Sequence, residues 1–122
     1  MERKLDELAA WLESRIAFCN ERQKLLLADD RGDEAAFEKV KANVYDIFRT
    51  ILSVAVKTCK GDAAAANRFF LLKTEQIPAN WAASFQRAEQ NGDTEKMQIE
   101  GIKIDTIREI KTKFTEIWEG SK

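Results

Sequence analysis

The chain contains no histidine. With histidine go the Glu-x-x-His metal sites of helical bundles, histidine-ligated haem, zinc centres built on imidazole, and Ser-His or Cys-His nucleophile pairs. Cysteine occurs only at Cys19 and Cys59, too few for a four-thiolate metal site. Glycine is sparse, and "CKGDAAAANR" holds Gly61 alone, so there is no glycine-rich phosphate loop. No apolar run approaches the ~20 residues that span a bilayer. The opening "MERKLDELAAW" is charged from its second residue and has no apolar h-region, which predicts no signal peptide or lipid anchor and a cytoplasmic address. An excess of one charge is also missing: 20 Lys and Arg face 21 Asp and Glu. Nucleic-acid binding normally leaves a basic footprint, because phosphate contacts supply most of its affinity, so the balance argues against it.

What is present is a chain of 122 residues, 44% apolar and 34% charged, long enough for one domain with a true core. It reads "RGD" at 31–33, "KGD" at 60–62 and "NGD" at 91–93. The first is a cell-adhesion tripeptide, but nothing else in the chain is extracellular in character. The spacing suggests backbone punctuation instead. Gly32, Gly61, Gly92 and Gly120 lie 29, 31 and 28 residues apart. Glycine enters the left-handed conformation that closes a helix, and aspartate accepts the orphan N–H groups that open the next one. On this reading Asp33, Asp62 and Asp93 are N-caps. The marks divide the chain into helices at about 3–30, 33–60, 62–90 and 93–119, each on the order of 40 Å long. Equal lengths and short loops predict an all-α fold, an up-and-down four-helix bundle.

Periodicity agrees. Leu5, Ala9, Leu12, Ile16, Cys19, Gln23 and Leu26 make a stripe on the first helix. Phe37, Val40, Val44, Ile47, Ile51 and Val54 alternate spacings of three and four, as a buried seam on the second does. Ile107, Ile110, Phe114 and Ile117 do so on the fourth, although isoleucine-rich 97–104 partly alternates as a strand would. A shift of 60 residues superposes two of the Gly-Asp marks and pairs Phe37 with Met97 and Val44 with Ile104, but few identities accompany it.

Pro78 falls inside the third helix, where it removes a hydrogen bond and costs ~3 kcal/mol. The helix is therefore expected to be kinked or broken there. Because the residue before a proline is driven from helical angles, Ile77 favours a break near 75 with Pro78 in the first turn of a new helix. Such a break has a packing cause more often than a binding one, but it also opens a groove beside Trp81. Cys19 and Cys59 lie ~20 Å apart along an antiparallel hairpin, beyond disulfide reach, and are expected as free thiols. "DDRGDE" lacks the ligand spacing of a calcium loop. Glu116 and Glu119 make one Glu-x-x-Glu pair, a one-sided match to carboxylate–magnesium hydrolases.

A second line on the first helix, Leu8, Trp11, Phe18 and Leu25, widens its apolar face beyond what a monomeric bundle covers. Together with Pro78 and Trp81 these are the candidate partner contacts, and they suggest a homodimer. The reading is a non-catalytic helical module acting through protein–protein contact, with no cofactor, no metal and no membrane. One alternative is a regulatory nucleic-acid binder using Arg15, Arg22, Lys103, Lys111 and Lys113. The other is the magnesium-dependent hydrolase.

Overall fold

In the computed structural model, which describes residues 3–119, four helices follow one another: α1 (Arg3–Ala28), α2 (Gly32–Cys59), α3 (Ala63–Gln90) and α4 (Thr94–Glu119). They form an up-and-down four-helix bundle, and residues 97–104 are helical throughout. Gly120, expected to end the last helix, lies outside the described residues. α1 packs along α2 and α3 along α4. α2 and α4 also pack against each other, whereas the α1–α4 seam is thin. The core runs from Leu5, Leu8 and Leu12 through Tyr45 and Phe48 to Phe70, Ile110 and Phe114. Phe70 joins the halves, edge-on to Phe48 at 5.9 Å and stacked on Phe114 at 5.2 Å.

The two hairpins are structural repeats. A shift of 62 residues carries Ala28 onto Gln90 and Gly32 onto Thr94. It also carries the loop hydrogen bonds Asp29 N–Leu25 O, Asp30 N–Leu27 O and Arg31 N–Leu26 O onto Asn91 N–Arg87 O, Gly92 N–Glu89 O and Asp93 N–Ala88 O. Every buried residue of α4 (Glu100, Thr106, Ile107, Ile110, Phe114 and Ile117) falls on a buried residue of α2 (Glu38, Val44, Tyr45, Phe48, Leu52 and Ala55). The register of 60 suggested by the Gly-Asp marks is two residues short, so Phe37 matches Ile99, and Val44 matches Thr106.

That offset has a local cause. At the second and third marks the punctuation works as expected. Gly61 and Gly92 take φ of 89° and 68°, Asp62 accepts from Ala65 N at 3.1 Å, and Asp93 accepts from Lys96 N at 3.1 Å. At the first mark it does not. Asp30 takes the left-handed conformation, φ 58°, the helix closes two residues early, and the N-cap position falls to Arg31, which makes no side-chain cap. Aspartate tolerates that region better than most residues. Gly32 and Asp33 therefore sit inside the first turn of α2, and Asp33 is not a cap.

Two further expectations are corrected. α3 runs unbroken through Pro78. The lost hydrogen bond is set against a seam in which Phe70, Thr74 and Ala88 are buried and Ile77, Trp81 and Phe85 half-buried, and a break would pull its two ends out of register. On α2 the buried line is Glu38, Tyr45, Phe48, Leu52 and Ala55. Of the expected seam only Val44 is buried; Phe37, Val40 and Ile51 are half-buried, and Ile47 and Val54 are exposed. α2 carries apolar residues on two sides, and the side bearing the large rings of Tyr45 and Phe48 turns inward.

Candidate functional site

The six candidate contacts separate. Leu8 is wholly buried in the core and offers no surface to a partner. Trp11 is half-buried, with its ring edge-on to Tyr45 at 5.7 Å. Phe18 and Leu25, higher on the same line, are 48% and 61% exposed. Pro78 and Trp81 are half-buried on α3, and Lys103 lies over the Trp81 ring at 5.8 Å. The α1 line is thus spent on the core at its lower end and left open at its upper end.

Beside that line the α1–α4 seam is polar. Tyr45 donates its hydroxyl to Glu109 Oε2 at 2.5 Å, and the Arg15 guanidinium sits over the rings of Phe18 and Tyr45. A cleft of about 450 Å³ opens here, lined by Trp11, Arg15, Arg108, Glu109, Lys113 and neighbouring residues. Burial, and then the bond to Glu109, push the Tyr45 hydroxyl well above its usual range. Burial, and then the nearby Glu38 carboxylate, push the Cys19 thiol up to about 11. Both groups are therefore protonated at neutral pH, the reverse of an activated nucleophile. Cys19 and Cys59 are free thiols.

Two carboxylates are buried at equivalent places. Glu38 receives Lys41 Nζ at 3.4 Å and Arg22 Nε at 3.5 Å. Glu100 receives Lys103 Nζ at 3.2 Å on one oxygen, while its other oxygen is buried without a hydrogen-bond partner. Lys41 and Arg22 both approach the same oxygen of Glu38, and the hairpins differ in that second cation: the position that holds Arg22 in the first holds Ser84 in the second.

Of the five basic residues considered for nucleic-acid contact, Arg15 and Lys113 line the same cleft, and four of the five have local partners. Arg22 and Lys103 are taken up by the buried glutamates, Lys113 lies 3.8 Å from Glu116, and Arg15 covers two rings. Lys111 lines a shallow hollow with Glu116 and Glu119. Among the described residues no group of three or more Cys, Asp or Glu is placed to hold a metal, and no helix is long and apolar enough to cross a membrane.

The surface that periodicity misassigned is the outer side of α2, where Ile47 and Val54 stand exposed. The signal that could have found it is the absence of charge along that line. No protein-family model, curated protein or solved structure matches the chain.

Proposed function

We propose that this chain is a cytoplasmic, non-catalytic module that works through protein–protein contact made by its first hairpin. One observation supports the reading. Among the described residues seven large hydrophobic side chains are exposed, and five of them, Phe18, Leu25, Leu27, Ile47 and Val54, belong to α1 and α2. At the same five positions the second hairpin places Asn80, Arg87, Glu89, Glu109 and Glu116. The backbone is equivalent, so the fold does not require apolar residues there. Exposed apolar surface that packing does not demand marks a contact face.

The test is affinity capture from the native cell with the wild-type chain and with a variant carrying the second hairpin's residues, F18N/L25R/I47E/V54E. Proteins, including untagged copies of the chain, held by the wild type and lost by a folded variant are the expected result. An identical set on both would refute the reading.

A further inference from the structure

The cleft of about 450 Å³ between α1 and α4 has the volume of a small-molecule site. Arg15, Arg108 and Lys113 line it, together with the indole of Trp11 and the carboxylates of Glu109 and Glu116. The repeat shows that folding does not demand cations in this place. Exchanging the hairpins carries α1 onto α3 and α4 onto α2. The shift of 62 then sets Ile77 at the position of Arg15 and Ile51 at that of Lys113. All four residues are half-buried. An isoleucine needs no partner there, whereas a cation drawn partly out of water needs an anion to offset the loss. Lys113 has Glu116 at 3.8 Å. Arg15 forms no ion pair among the described residues. Its guanidinium meets the rings of Phe18 and Tyr45 and the Tyr45 hydroxyl, and nearby Glu109 already accepts that hydroxyl. A guanidinium carries five N–H donors, so most of them remain for a group in the cleft. Arg108 is the second guanidinium on this cleft, held only by a solvated pair with Asp105 at 3.5 Å.

We infer that this cleft binds a mononucleotide. The inference goes beyond the protein-contact reading and does not rest on it. Each kind of group in the cleft has a counterpart in that ligand. The phosphate takes the guanidiniums of Arg15 and Arg108, whose forked N–H groups match its oxygens in pairs, and the Lys113 ammonium. The base stacks on the indole of Trp11. The ribose hydroxyls donate to Glu109 and Glu116, which a ligand without donors would leave facing it unpaired. That last point separates the nucleotide from simpler anions. Inorganic phosphate uses the cations alone, and an aromatic carboxylate offers a ring and an anion but no donor for the two glutamates. A strand of RNA or DNA needs a basic track that continues past one nucleotide. This cleft holds three cations, in a chain whose 20 Lys and Arg are matched by 21 Asp and Glu, so its footprint is that of a single phosphate.

Nuclear magnetic resonance titration of the nitrogen-labelled chain with AMP, adenosine, inorganic phosphate and a short oligoadenylate tests this. Saturable shifts with AMP are expected at the Trp11 indole N–H and in the amides of 108–116, with adenosine and phosphate each weaker by about ten-fold or more. R15I and R108D carry the residues that the second hairpin bears at these positions, Ile77 and Asp46. Each should weaken AMP on the order of ten-fold or more, because each removes charged hydrogen bonds to the phosphate. No shift with AMP at millimolar concentration overturns the inference, as do shifts confined to residues outside the cleft. Phosphate that binds as tightly as AMP overturns it too, and so does an unchanged affinity in R108D or in a folded R15I. Oligoadenylate that binds more tightly than AMP, with affinity falling steeply on added salt, overturns it in favour of a nucleic-acid strand. If R15I loses its helical signal, R108D decides alone, since the Arg108 side chain is 75% exposed and its removal leaves the core intact.

Discussion

Substituting Ser84 with arginine should stabilise the protein. The buried Glu100 side chain is 8% exposed, and one of its oxygens has no hydrogen-bond donor. Leaving a buried acceptor unsatisfied costs roughly 1–3 kcal/mol. In the first hairpin the same carboxylate, Glu38, is reached by Arg22 from the preceding helix. S84R brings a second cation to Glu100 from the equivalent position, with guanidinium N–H groups to offer its unpartnered oxygen. Ordering an arginine side chain costs up to about 2 kcal/mol, and half-exposed Ser84 gives up little packing. The net gain is then about 1 kcal/mol, a rise in Tm of roughly 3–5 °C for a chain of this length. The reciprocal change, R22S, removes one of two cations beside Glu38 and should lower stability by up to about 1 kcal/mol. Thermal unfolding by circular dichroism reads both. A loss of stability in S84R together with no effect in R22S would show that the two glutamates are not equivalent, and the repeat-based account of Glu100 would fail.

The caps give a second set of expectations. D62A and D93A should each cost about 1 kcal/mol in denaturant unfolding, while D33A should change little, since Asp33 lies beyond the cap position. G32A should stabilise by about 0.5 kcal/mol and G92A should destabilise, because of these two glycines Gly92 alone has positive φ. Equal losses at all three aspartates would restore the uniform punctuation. Alkaline sensitivity follows from Cys19, whose thiol is raised in the folded state from an ordinary value of 9.0 to about 11. Its contribution is full below pH 9 and is lost as pH rises toward 11, since the unfolded chain then releases the proton more readily. Stability measured at pH 8 and pH 11 should fall less steeply in C19A than in the wild type; parallel curves would sink the assignment.

Much of the architecture was legible because two signals reinforce each other. Gly61-Asp62 and Gly92-Asp93 mark real helix boundaries, and the Leu5–Leu26 and Ile107–Ile117 stripes supply much of the buried face of α1 and α4. The first mark misleads because the tripeptide is the same while the left-handed residue is Asp30; a local motif does not say which of its neighbours bends the chain. Pro78 misleads in the other direction. Its local cost is real, but the burial of Phe70 and Thr74 before it and of Ala88 after it favours continuity, which propensity does not record.

The outer face of α2 was hidden for a deeper reason. Periodicity reports that a helix has an apolar line, not which way the line points, and α2 has two lines within one helix. The core takes the one with larger rings, and the remainder becomes surface. Read on α2 alone, Ile47 and Val54 could be leftover hydrophobics of the ordinary kind. Set beside Glu109 and Glu116, they cannot be a requirement of the backbone, because the same backbone position is served by carboxylates sixty-two residues later. Almost no identities connect the hairpins, so this comparison opens only once the shared loop geometry and burial fix the register. A repeat whose halves differ in sequence is then informative where they differ: at Ser84 it shows a missing cation, and along α2 it shows apolar surface that folding did not ask for.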